Sequence, residues 1–444
     1  MNISLSFKHI NQLAIPALIS GVSEPILSLT DAAIIGNMTL NATESLAAVG
    51  IVSTFLSMLI WVLGQTRSAI SSIVSQYLGA NQLDEVKNLP AQAIFIITTL
   101  SLLIIAFTYP FSGQIFKLYN ASDLILNYSV SYYNIRVFGF PFTLFTIAVF
   151  GTFRGLQNTY YPMIIAIIGA STNIVLDFIF VYGIDGFIKP MHIKGAAYAS
   201  VIAQLIMALC SAYFMLKKTD IPLRVKFPFN KEIKKFILMV VNLFVRTLAL
   251  NITLYFATSY ATSYGPSYIA AYTIAINLWF FGAFCIDGYA SAGNILSGKF
   301  YGGKDYKSLI KLSDILIKYG IAIGVILAIL GAFFYKPIGN VFTNETEVLS
   351  EFYKVFWIVL IMQPLCALAF IFDGVFKGLG LMKTLRNLLL ISTFLVFIPI
   401  LYILDYFNYK LYAIFIALTI WIFVRGFPLI ILFRKKFIPL SQKS

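Results

Sequence analysis

Histidine, cysteine and charge are all scarce in this chain, and each shortage removes a class of function. His9 and His192 are the only histidines, so no histidine-based metal centre or catalytic triad can be assembled. Cys210, Cys285 and Cys366 all fall in apolar stretches, without the spacing of a disulfide framework or a zinc site, and each reads as a small buried hydrophobe. No nucleotide-binding loop, zinc motif or activated-serine motif is present. The sequence is therefore read as neither an enzyme nor an ATP-driven pump, with no cofactor beyond a coupling ion. Charge is the largest deficit: 11% of the residues are charged and 59% are apolar, values that would leave a soluble domain without enough surface to solvate it.

What is abundant is long apolar sequence. Stretches of about 20 residues cross a bilayer core as a helix, and twelve occur here, at 10–36, 46–78, 89–112, 126–153, 161–183, 194–216, 236–262, 267–300, 309–333, 352–377, 386–405 and 410–433. They are too long and too continuously apolar for barrel strands, which need about ten alternating residues. The expected fold class is an all-α polytopic membrane protein. The first stretch contains Pro16, Glu24 and Pro25 and lacks a small-residue cleavage site, so it is read as a span and not a signal peptide.

The net charge of +14 invites a nucleic-acid partner, but the positions of the cations argue against one. With both termini cytoplasmic, Lys217, Lys218, Lys234, Lys235, Lys304, Lys307, Arg434, Lys435 and Lys436 all fall on the inner side. The outer side has only Lys117, Lys189, Lys194, Lys336, Lys354 and Lys410. This is the positive-inside asymmetry. It predicts a multi-pass protein of the cell (inner or plasma) membrane with the lipid bilayer as its partner; a monomer is expected.

The chain also repeats itself. Phe153-Arg154-Gly155-Leu156 returns as Phe376-Lys377-Gly378-Leu379, and Tyr77-Leu78-Gly79-Ala80 as Phe300-Tyr301-Gly302-Gly303, both displaced by 223 positions. One offset shared by two motifs marks a duplicated module. Six spans precede and six follow the basic, proline-containing interval, so both copies enter the membrane in the same direction. The expected organisation is an N-terminal lobe at 1–216, a cytoplasmic linker at 217–235 and a C-terminal lobe at 236–444.

Ionisable residues inside spans cost about 2.5 to 3.5 kcal/mol each on insertion scales and are functional candidates by default. Those in this chain are Glu24, Asp31, Arg67, Arg136, Asp177, Arg246, Asp287, Lys318, Asp373 and Arg425. Lys318 and Arg425 are expected to snorkel to an interface. Glu24 and Asp31 are seven residues apart and share a helix face, as do Asn173 and Asp177 at four apart. Pro25 removes a backbone donor beside them and permits a bend. Desolvation disfavours an ionised carboxyl, so such a group can carry a proton and release it when water or a cation arrives. Alternatively these acids pair with Arg67 or Arg136 and hold helices together. The acids are not duplicated, because positions 254 and 400 are Leu254 and Ile400. The second half instead offers Arg246 a choice of Asp287 or Asp373, which reads as a structural or gating cluster.

The run Pro25 to Gly36, with Thr30-Asp31 inside it, resembles the first-helix signature of the multidrug and toxic compound extrusion (MATE) transporters, in particular their DinF-type branch. Tyr132 to Pro141, Arg154 to Thr159, Asn173 to Asp177, Asn242 to Leu250, Asp287 to Ala290 and Asp373-Gly374 are similar to further motifs of that branch, in the same order along the whole chain. The resemblance implies two parallel-repeat six-helix bundles forming a V around a central cavity. It also implies antiport of organic, often cationic and amphipathic, compounds out of the cell against inward H+ or Na+ flow by alternating access. It places an ion-coupling network on Asp31, Asn173 and Asp177, with Tyr132 nearby and Ser200 supplying a sixth-helix hydroxyl. Asn294 stands where the family has an acid, and Glu24 is an acid that is not general to the family. Proton coupling is the preferred reading and sodium coupling the alternative. A lipid-linked oligosaccharide flippase is the other rival, although such a site should present several cations to hold a diphosphate.

Overall fold

The computed structural model describes residues 6–38, 41–119, 121, 123–184 and 186–443; the side chains of 23–29, 123 and 443 lie outside this set. Its secondary structure is helical, and among the described residues the one β feature is an isolated bridge between Ile184 and Ile188. The first helix, α1, runs Phe7–Gly36. Eleven further helices are long and apolar enough to cross a membrane. They are α2 (Ala42–Gly79), α3 (Leu83–Thr108), α4 (Leu124–Gly155), α5 (Tyr160–Tyr182), α6 (His192–Lys218), α7 (Ile233–Ser263), α8 (Pro266–Gly302), α9 (Tyr306–Phe333), α10 (Thr346–Gly378), α11 (Met382–Tyr406) and α12 (Leu411–Gln442). Each of the twelve expected spans falls on one of these helices.

Several helices are interrupted, each for a local reason. In α2 the helix breaks after Leu63 and resumes at Thr66, where the Thr66 hydroxyl donates to the Leu63 carbonyl. A 3-10 turn at Val137–Gly139 splits α4 just before Pro141, whose ring fits the start of the next helical segment. In α11 the segment Ser392–Phe397 is a π-helix leading into Pro399; proline lacks the N–H that would close the preceding α-turn, and the wider turn accommodates the loss.

The chain forms two compact units, one comprising Met1–Leu18, Ser75–Asn81 and Val241–Ser444, the other Ile19–Val74 and Gln82–Val240. In the first, Trp279, Met362, Phe372, Phe397, Phe415 and Trp421 fill the core; in the second, Phe116, Tyr132, Tyr133, Val137 and Val181 do so.

The 223-residue echo is also an echo of packing. A Cβ on Gly151 would lie 2.6 Å from the Arg67 carbonyl oxygen, and one on Gly374 would lie 2.0 Å from that of Ala290. One turn on, Gly155 abuts Ser71 and Val74, while Gly378 abuts Asn294 and Ser297. Every member of the second set is displaced by 223 from its counterpart. Within the unit containing Ser75–Asn81, the same offset relates a reciprocal contact: Gly79 seats against the Lys299 carbonyl and Gly302 against that of Gln76. Membrane helices gain little from hydrophobicity and associate through close backbone approach, which explains why glycines are the residues the two copies share.

Candidate functional site

The unduplicated acids of the first half meet in one buried network. Asp31 lies on α1, Tyr132 and Arg136 on α4, Asn173 and Asp177 on α5, and Ser200 and Gln204 on α6. Asp31 is 5% exposed and Asp177 0%. The Ser200 hydroxyl donates to Asp31 Oδ2 at 3.1 Å, and Asn173 Nδ2 donates to Asp177 Oδ2 at 3.1 Å. The i, i+4 spacing of Asn173 and Asp177 on one helix face produces the second bond directly.

The two carboxyls are immediate neighbours, with Asn173 also beside Asp31 and the Arg136 guanidinium within electrostatic reach of both. Asp31 Oδ1 and Asp177 Oδ1 are buried and have no hydrogen-bond donor among the described residues. Adjacent carboxylates cannot both stay ionised cheaply, and one proton on the pair relieves their repulsion. With that one proton the pair and Arg136 sum to zero charge. Without it the site carries one negative charge and attracts a proton or a monovalent cation.

Arg136 is positioned from the other side. Its Nη1 donates to Gln204 Oε1 at 2.7 Å, and Gln204 follows Ser200 by one helical turn. The amide fits because Gly139 has no side chain: a Cβ there would lie 1.8 Å from Gln204 Oε1. Tyr132, one turn before Arg136 and 1% exposed, packs beside Arg136 and the acids. Gln204 and Gly139 are members that sequence reasoning missed. The spacing from Ser200 to Gln204 was the available signal for the first; the second becomes visible only when α4 and α6 are packed together.

The backbone of Glu24 and Pro25 is helical within α1, but their side chains lie outside the described residues. In the second half, Arg246 Nη2 is 2.5 Å from Asp373 Oδ1, so of its two possible partners it takes Asp373. Lys377 Nζ reaches the same carboxylate, 2.9 Å from Oδ2. Asp287 is exposed on α8 and forms no ion pair with any described residue. Of the two residues expected to snorkel, Lys318 is exposed, whereas Arg425 is not: it is 4% exposed and stacks on Phe370 and Trp421. The expectation failed because aromatic faces inside the unit give the guanidinium a seat away from the interface. Asn294, where the resemblance places an acid, is buried, and its Nδ2 lacks an acceptor.

Membrane-length apolar helices around a buried acid pair are the setting expected of a membrane transporter. The matches to known proteins agree: residues 16–179 and 240–403 each match the MatE family, and their offset of 224 residues lies within one residue of the internal repeat. The chain belongs to the MatE family, whose members are membrane transporters and not enzymes. It is 24% identical over 437 residues to DNA damage-inducible protein F of Escherichia coli, covering 97% of this chain and 92% of that protein. It is 30% identical over 256 residues to Protein DETOXIFICATION 42 of Arabidopsis thaliana, where the match covers 56% of this chain and about half, 47%, of that protein. The fold superposes on the crystal structure of MATE in the bent conformation with a TM-score of 0.90 at 21% identity, covering 98% of this chain and 96% of the other.

Proposed function

We propose that the protein is an exporter of organic, often cationic and amphipathic compounds, driven by inward proton flow through alternating access, and that Asp31 and Asp177 hold the coupling proton. The observation that carries this reading is the pair of donorless, buried carboxyl oxygens beside Arg136. A proton arriving from outside brings the pair and Arg136 to zero net charge, weakens their hold on a cationic substrate and redirects the bonds from Ser200 and Asn173. Reorientation follows only because protonated and substrate-bound forms favour different arrangements. The charge distribution between alternate loops supports cytoplasmic termini in the cell membrane.

Purified protein in sealed vesicles, loaded with a fluorescent organic cation and given either a pH or a sodium gradient, tests the reading. Flux should follow the pH gradient, and Asp31→Asn should abolish gradient-driven flux while the protein remains folded in the membrane. Flux driven by sodium alone, or wild-type flux in Asp31→Asn, overturns it.

A further inference from the structure

Among the described residues, the buried charges of the second half do not balance: Arg246 and Arg425 stand against Asp373. One carboxylate, Asp373, is shared by Arg246 and Lys377. A third cation, Arg425, lies within electrostatic reach of Arg246 and Asp373. Its guanidinium is 5.0 Å from the Phe370 ring centre and 5.2 Å from that of Trp421, and no hydrogen bond or ion pair joins it to any described residue. The seat is built: Trp421 Nε1 donates to Thr393 Oγ1 at 3.1 Å, and Thr393 pairs with Thr253 at 2.9 Å.

Lysine can release its proton to water but arginine does not. Asp287 lies within electrostatic reach of Lys377 but is exposed and forms no ion pair with any described residue, so among the described residues the two buried guanidinium groups have one buried carboxylate between them. Aromatic faces offset part of the cost of burying Arg425, yet none of its N–H donors meets an acceptor among the described residues. That donor geometry matches a carboxylate or phosphate in two-point contact. The cluster is also no product of the repeated scaffold, because the positions 223 before Arg246, Asp373 and Arg425 are Ser23, Phe150 and Ile202.

We propose that Arg425, with Arg246 and Lys377, forms a binding site for the oxyanion, carboxylate or phosphate, of an organic anion. The site would admit substrates with an acidic group, in contrast to the acid pair of the first half. It deepens the exporter reading by naming a substrate class and rests on it only for the origin of the ligand. Binding is measured without a gradient, so a failure of proton coupling and a failure of this site are told apart.

The probe is carboxyfluorescein, with a rhodamine ester as a cation of the same ring system. Equilibrium binding is measured on the full-length protein in phosphatidylcholine nanodiscs. Arg425→Met should weaken carboxyfluorescein binding at least tenfold and change rhodamine binding less than twofold. Equal affinity of wild type and variant for carboxyfluorescein, or an equal loss for both dyes, overturns the proposal. Should Arg425→Met fail to fold, tryptophan emission provides the test: saturating carboxyfluorescein should quench wild-type emission, and Trp421→Phe should remove most of that quenching. Quenching that persists in Trp421→Phe overturns the site. Adding phosphatidylglycerol distinguishes the sources of the oxyanion. Competition that disappears in Arg425→Met assigns a lipid phosphate to the site, and absence of competition assigns a soluble carboxylate; both retain it.

Discussion

At the scale of single residues, the first-half network depends on a position that makes no hydrogen bond through a side chain. Gly139 leaves the space that Gln204 needs in order to meet Arg136. In Gly139→Ala the flexible amide is expected to move away, at a cost of about 1 kcal/mol, the net value of one hydrogen bond. Thermal unfolding should therefore change little while the proton-driven transport proposed above falls severalfold. The double variant Gly139→Ala with Gln204→Ala should lose no more transport than Gln204→Ala alone, because both changes remove the same contact; additive losses would show that Gly139 acts elsewhere. In the second half the asymmetry runs through Asp373. Removing Arg246 leaves Asp373 paired with Lys377, whereas Asp373→Asn leaves the buried Arg246 and the partly buried Lys377 without their carboxylate. Breaking a buried pair in that way costs about 3 to 5 kcal/mol, so Asp373→Asn should lower the unfolding temperature in detergent well below that of Arg246→Met. The reverse order would sink the shared-carboxylate picture.

At the scale of helices, the spans were readable in the sequence because long apolar runs have few alternatives in a bilayer. The breaks were not readable. A 3-10 turn before Pro141 and a π-segment before Pro399 use residues that occur equally well in unbroken helices, and their geometry follows from where a carbonyl loses its donor. The same division holds for the site. Asn173 and Asp177 are visible as a pair from their spacing on α5, but the seating of Arg425 against Trp421 and Phe370 depends on how α10 and α12 meet, which no single helix encodes. Glycine separates the two kinds of helix contact cleanly. A Cβ at position 374 would lie 2.0 Å from a backbone oxygen of Ala290, while one at position 50 would have nothing within 4 Å. Gly374→Ala must push α8 and α10 apart, at a cost of about 1 to 3 kcal/mol. Gly50→Ala should instead be neutral or stabilising by up to about 1 kcal/mol. Comparing the unfolding midpoints of the two variants checks this, and equal midpoints would contradict the close approach of α8 and α10.

At the scale of the molecule, the connection between the repeats is held more firmly than its composition indicates. Its prolines and basic residues read as a tether, yet it docks on α3 of its own unit. The side chain of Gln92, 1% exposed, donates to the Lys226 and Pro228 carbonyls at 2.6 and 3.3 Å and accepts from the Asn230 backbone at 2.8 Å. Asn230 Nδ2 in turn donates to the Glu85 carbonyl, and Lys231 pairs with the Glu85 carboxylate at 2.6 Å. The exposed ion pair contributes little in water, so the buried amide carries most of the docking. One glutamine that satisfies three backbone groups is worth about 1.4 kcal/mol or more of local closure, a factor of about ten in the open population. Gln92→Ala is accordingly expected to raise the rate of limited proteolysis within residues 222–231 about tenfold, whereas Lys231→Ala should change it less than twofold. Transport should stay near wild type in both, since neither residue belongs to the acid network. Unchanged cleavage in Gln92→Ala would mean that the linker is retained by its ion pair or by packing, and that α3 does not clamp it.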